Sequence, residues 1–131
     1  MRQVHLETKR RSELLDITQK IVKIIPTDMD VGICIIYVPH TTAGVTINEG
    51  ADPSIQEDML NQLDKIVPWD QPFFRHLEGN SAAHIKASLI GSSVSILIAN
   101  GHLQLGTWQR IFFAEFDGPR RRKILVTFDL A

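Results

Sequence analysis

The run Val31-Gly32-Ile33-Cys34-Ile35-Ile36-Tyr37-Val38 is almost wholly apolar and rich in β-branched side chains. A run without polar alternation suits a central strand covered on both faces better than an edge strand, so the chain is expected to build a sheet with an interior. Pro39 ends the run.

Other elements are expected to assemble around this strand. Gln3 to Lys9 carries Val4, Leu6 and Thr8 on one parity and reads as a strand with one buried face. Ser12 is a candidate N-cap for a first helix, in which Leu14, Ile17, Ile21 and Ile24 recur at helical spacing until Pro26. Gly44 to Asn48 reads as a short return strand. Asp52-Pro53 supplies an N-cap and a first-turn proline for a second helix, whose stripe Ile55, Met59, Leu63 and Ile66 stops before Pro68. Trp69 to Asn80 is an aromatic and polar loop. A third helix is expected over Ala82 to Ile90, capped by Asn80 or Ser81, buried through Ile85 and Leu89, and stopped by Gly91. Val94 to Ala99, Thr107 to Asp117 and Lys123 to Phe128 read as strands, with Asp117-Gly118-Pro119 as a turn. Interspersed elements without strict β-α-β alternation predict an α+β fold: a mixed, mostly antiparallel sheet with about three helices on one face.

The 131 residues fall within the usual size of one domain, so a single domain over 1–131 is expected. Hydrophobic residues at 44% and charged residues at 22% match a globular chain rather than a disordered one. No apolar run reaches the roughly 20 residues that span a bilayer. The N-terminus, with Arg2, His5 and Glu7, lacks a signal-peptide core, so a cytoplasmic location without membrane partners is expected. Cys34 is the sole cysteine, which excludes an internal disulfide or a thiolate zinc cluster. A net charge of −1 gives no global attraction for nucleic acid, which is not an expected partner.

Four stretches carry chemistry. Pro39-His40-Thr41-Thr42-Ala43-Gly44 places an imidazole where the buried strand ends, a position both rigid and reachable. Thr46-Ile47-Asn48-Glu49-Gly50-Ala51-Asp52 holds two acids; capping explains Asp52 and leaves Glu49 free for function or solvent. Arg75-His76-Leu77-Glu78-Gly79-Asn80-Ser81-Ala82-Ala83-His84-Ile85-Lys86 gathers two imidazoles, a carboxylate, an amide, a hydroxyl and an ammonium into one loop and helix start. Unpaired N–H groups of that helix's first turn favour an anion. Neutral imidazole is the commonest transition-metal ligand, so His40, His76 and His84 are candidate ligands of a divalent metal, with zinc the expected ion. In the fourth stretch, Leu103 to Arg120, Glu115 lies in line with phenylalanines. It is either twisted out to solvent or held for a partner such as a metal-bound histidine or Lys86. Arg120-Arg121-Arg122-Lys123 reads as a charged strand start that blocks edge pairing, with phosphate or RNA contact as the alternative.

His40-Thr41-Thr42-Ala43-Gly44-Val45-Thr46-Ile47-Asn48-Glu49, the Glu78 to Lys86 run, and Leu105-Gly106-Thr107-Trp108-Gln109 through Asp117-Gly118-Pro119-Arg120 together resemble the YjbQ family, and the likeness runs nearly end to end. The resemblance implies a YjbQ-like domain assembling as a homotrimer. It also implies secondary thiamine-phosphate synthase activity, in which hydroxymethylpyrimidine diphosphate is joined to thiazole phosphate with loss of diphosphate. The polar positions it implies are His40, Thr41, Glu49, Asp52, His76, Glu78, Asn80, His84, Lys86, Gln109 and Glu115. In such a reaction Lys86, Ser81 at the helix start, Arg120 and a cation would neutralise the leaving group. Glu49, Glu78 or Glu115 would stabilise the electron-poor pyrimidine or orient ligands, with Thr41, Asn80 and Gln109 binding substrate. Diphosphate chemistry usually employs magnesium, whereas a histidine-rich site prefers zinc. Two further readings therefore stand beside the synthase: a zinc-dependent hydrolase or transferase acting on a small phosphorylated metabolite near Glu49 or Glu78, and a non-catalytic trimeric module that binds a metabolite or metal.

Overall fold

The computed structural model describes residues 1–130. It is an α+β fold with two antiparallel sheets. One sheet has the order β1-β8-β3-β5-β6, formed by Arg2–Glu7 (β1), Arg121–Leu130 (β8), Gly32–Tyr37 (β3), Ser93–Ala99 (β5) and His102–Leu103 (β6). The other has the order β2-β7-β4, from Glu13–Asp16 (β2), Gln109–Glu115 (β7) and Ala43–Glu49 (β4). The helices are Thr18–Val22 (α1), Pro53–Ile66 (α2) and Ser81–Ile90 (α3). Residues of both sheets meet in one core, with Cys34, Ile36 and Ile124 from the first and Val45, Ile111 and Phe113 from the second. Burial pushes the Cys34 thiol up to about 12, consistent with a packing role.

The apolar run does form an interior strand, but this chain covers only one of its faces. Cys34 and Ile36 are buried, whereas Ile35 and Tyr37 are 38% and 47% exposed. Their neighbours across the ladder, Leu97 opposite Ile33 and Leu125 opposite Tyr37, extend that outer face. Alternation is absent from the sequence because the outward positions are also apolar.

The expected first helix is mostly strand. Glu13 to Asp16 pair with Glu115 to Phe112 on β7, and only Thr18–Val22 is helical. Ser12 caps nothing; Asp16 Oδ1 instead accepts the Thr18 N–H at 3.0 Å. The helical spacing misleads because its apolar residues serve two different clusters. Ile17 and Ile21 enter the main core, while Leu14 packs with Ala83 and Phe116 under α3.

The second helix begins and ends as its sequence signals predict, with Asp52 accepting the Ser54 N–H at 3.0 Å. In α3 the buried face differs from expectation: Ala82, Ala83, Lys86 and Ala87 face inward, whereas Ile85 and Leu89 are 40% and 58% exposed. Small side chains let α3 approach β4 closely. A Cβ on Gly44 would lie 2.5 Å from the carbonyl oxygen of Gly91, the residue that caps the helix and accepts the Val45 N–H of β4.

Candidate functional site

Pro39 removes a backbone donor just after β3, so the ladder with β8 stops at Tyr37–Leu125. The His40 ring stands beside the next free backbone groups of β8. Its Nε2 lies 3.0 Å from the Lys123 nitrogen and 3.1 Å from the Lys123 oxygen. With a proton on Nε2 the ring donates to the carbonyl and leaves Nδ1 with a lone pair; with the proton on Nδ1 it accepts from the N–H. Burial, and next the charge of Arg122, hold His40 below the usual histidine range, so it is neutral near pH 7.

The α3 N-terminus supplies the opposite wall. Asn80 occupies the cap position but makes no side-chain cap bond. Its Nδ2 instead donates to Asp117 Oδ2 at 2.8 Å and weakly to Glu78 Oε2 at 3.4 Å. Two carboxylate neighbours fix which end of the amide is the nitrogen. Oδ1 is then a buried acceptor without a hydrogen-bond partner among the described residues, the kind of atom a cation satisfies. One turn along, His84 meets His76 from the preceding loop edge-on, with ring centres 5.1 Å apart.

These walls flank an open cavity of about 660 Å³. His40, His76, His84, Thr41, Glu78, Asn80 and Arg120, all singled out from the sequence, line it. Tyr37, Thr42, Asp117 and Arg122 join them. Asp117 was legible only as a turn residue, and Arg122 only as part of a basic run.

Five sequence candidates lie elsewhere. Glu49 and Gln109 pair at the far end of β4 and β7, six residues and roughly 20 Å of strand from the Ala43–Glu115 pair beside the cavity. Ser81 lines a neighbouring hollow with His76, His84 and Phe73. Lys86 is buried and its Nζ is paired with Asp64 of α2. Glu115 is fully buried and held by Arg122, by Thr8 Oγ1 at 2.7 Å and by the Phe116 and Asp117 N–H groups. Its partner is therefore neither a metal-bound histidine nor Lys86. Nor does the basic run guard an edge, since β8 lies between β1 and β3 and Arg122 is 5% exposed.

A family model described as "UPF0047 protein YjbQ-like" matches residues 2–129. The chain belongs to the YjbQ family. The YjbQ relative YugU of Bacillus subtilis is 47% identical over 93% of this chain and 93% of its own length. A UPF0047 protein of Methanocaldococcus jannaschii is 56% identical over 92% and 88% respectively. A crystal structure of a YjbQ family protein from Clostridium acetobutylicum superposes with a TM-score of 0.95 at 48% identity, covering 98% of this chain and 99% of that one. A protein of unknown function from Sulfolobus solfataricus, described as YbjQ-like, gives 0.93 at 32% identity, covering 99% and 96%.

Among the described residues no group of three or more His, Cys, Asp or Glu is drawn together tightly enough to enclose an ion. The His76–His84 ring-centre separation of 5.1 Å equals the roughly 5 Å expected of two imidazoles bound tetrahedrally to one zinc, and it is also that of an ordinary edge-to-face ring contact. Of the two His40 tautomers, only the one that donates Nε2–H to the Lys123 carbonyl leaves Nδ1 free to ligate, and a backbone carbonyl is a usual partner of a ligating histidine's other nitrogen; the tautomer that accepts the Lys123 N–H leaves no free nitrogen.

Proposed function

We propose that the cavity is a metal-assisted site acting on a small phosphorylated metabolite, with a divalent ion, zinc by donor preference, held by His40, His76 and His84. The observation that carries this reading is the edge-on His76–His84 pair, with His40 lining the same cavity. When bound, such an ion polarises a phosphoryl oxygen and lowers the pKa of a coordinated water. The chain's own residues supply the rest. Arg120 is half-exposed and turned toward the cavity to bind phosphate oxygens, Glu78 is the carboxylate available to move a proton, and Thr41 and Asn80 orient the ligand.

Within this reading, joining hydroxymethylpyrimidine diphosphate to thiazole phosphate is a side reaction of the pocket. A leaving diphosphate calls for concentrated positive charge, yet Lys86 is engaged by Asp64 and Arg122 by Glu115. Hydrolysis or transfer of a single phosphoryl group asks less of the site. Magnesium would suit the diphosphate, but the imidazoles favour zinc.

The test is to supply hydroxymethylpyrimidine diphosphate to protein loaded with zinc or magnesium, with and without thiazole phosphate. Phosphate release that follows zinc content without thiazole phosphate supports the reading. Thiamine phosphate formed efficiently with magnesium, and nothing without the second substrate, makes the synthase the principal activity. Saturable binding without turnover under either metal makes the pocket a binding module.

We also propose that the chain assembles as the homotrimer its family resemblance implies, through the outer face of the five-stranded sheet. Ile35, Tyr37 and Leu97 form an apolar surface there that this chain leaves open.

A further inference from the structure

Asp117 ties together more of the cavity wall than its place in a turn suggests. Its Oδ2 accepts from Asn80 Nδ2 at 2.8 Å and from an Arg120 amino group at 3.0 Å. Its carbonyl oxygen accepts from Arg120 Nε at 2.8 Å, and its own N–H donates to Glu115 Oε2 at 3.1 Å. The buried Glu115–Arg122 pair thus anchors Asp117 from behind, and buried Asn80 braces its carboxylate from α3. The Asp117 side chain is 16% exposed, against 49% for Arg120.

An arginine on a surface turn samples many rotamers and loses that freedom on gripping an anion. Here two of the three guanidinium nitrogens are committed to one residue, leaving the third to bind. We propose that Asp117 is the positioning residue of the anion subsite, holding the Arg120 guanidinium ready for a phosphate oxygen and locking the Asn80 amide on the same carboxylate oxygen. This inference rests on the reading of the cavity as a site for a phosphorylated ligand.

The proposal has a sign that simple charge does not share. A carboxylate beside Arg120 repels an anion, so on charge alone its removal tightens phosphate binding. Positioning requires that its removal weakens binding.

The experiment is calorimetric titration of the full chain with inorganic phosphate at constant ionic strength, comparing wild type with Arg120→Ala, Asp117→Ala and Asp117→Asn. The expected result is a loss of about tenfold in affinity for Arg120→Ala and about fivefold for Asp117→Ala. Asp117→Asn, which keeps an acceptor oxygen, should fall between wild type and Asp117→Ala, and it is the variant to read if the alanine does not fold. The Arg120 Nε–H signal in a nitrogen-correlated NMR spectrum should be sharp in wild type and broaden in Asp117→Ala. Affinity equal to or above wild type in both Asp117 variants, with Arg120→Ala still weakened, overturns the inference alone. Wild type that binds no phosphate, or binding that Arg120→Ala leaves unchanged, overturns the reading of the cavity and this inference with it.

Discussion

Glu115 and Arg122 form a buried ion pair in which Arg122 Nε donates to Glu115 Oε1 at 2.8 Å and an amino nitrogen closes the fork on Oε2. The same arginine donates to Thr42 Oγ1 at 2.7 Å, so the pair joins β7 and β8 to the segment that carries His40. Removing one partner of a buried pair leaves the other charge uncompensated, at a cost of about 3–5 kcal/mol. Glu115→Ala should lose that much in chemical denaturation. The wild-type carboxyl is also expected to show in the pH dependence. Burial raises its pKa, but the bonds from Arg122, Thr8 and the Asp117 N–H outweigh this and hold it below the ordinary glutamate range. A depressed folded pKa means that the stability is present above the unfolded value of ~4.3 and is lost as pH falls through the folded value. Melting temperatures measured from pH 6 downward should therefore drop steeply in wild type and less in Glu115→Gln.

His40 gives a second pH signature, displaced toward neutrality. Folding favours its neutral form, so its contribution is complete above the unfolded pKa of ~6.5 and is lost as pH falls through the lower folded value. In metal-free protein, NMR titration of the ring should give a midpoint below that of an exposed histidine, and His40→Gln should flatten the stability profile between about pH 7 and pH 5. A His40 midpoint above the ordinary histidine value contradicts the assignment.

Lys86 tests whether position or residue type decides function. Its ammonium holds α3 to Asp64 on α2 and is not part of the cavity wall. Lys86→Met keeps the stem and its packing, so phosphate affinity and metal content should stay within about twofold of wild type, while stability changes by about 0.5–3 kcal/mol. Loss of ligand binding in a folded Lys86→Met protein would return the lysine to the site.

The outer sheet face makes a prediction about assembly. Leu97 is 65% exposed and lies opposite Ile33 on that face. Leu97→Glu should shift the mass measured by light scattering from trimer to monomer, with the melting temperature falling as the contact is lost. An unchanged mass would move the contact elsewhere.

Local signals were legible wherever one residue dictates one backbone feature. Asp52-Pro53 and Pro68 bracket α2, and Pro39 marks where β3 gives way to the His40 segment. The sequence misleads where partners come from distant elements. Leu14 and Ile17 sit at helical spacing but face separate clusters from a strand and the residue after it. Ile85 and Leu89 read as the natural core of α3, yet its inward face is Ala82, Ala83, Lys86 and Ala87, and the end of the helix brings Ile90 and Gly91 against Gly44. The three imidazoles are visible as residue types, and all three line one cavity. Asp117 was missed because Asp-Gly-Pro already explains a turn. Nothing local reports that Asn80, 37 positions earlier, bonds to it.

If His40, His76 and His84 act together as ligands of one ion, metal content reports it most directly. Purified wild type should carry close to one zinc per chain by atomic emission, after dialysis against metal-free buffer. His40→Ala, His76→Ala and His84→Ala should each lose most of it while keeping the wild-type circular dichroism spectrum. Metal content that is the same in all four proteins would contradict the account.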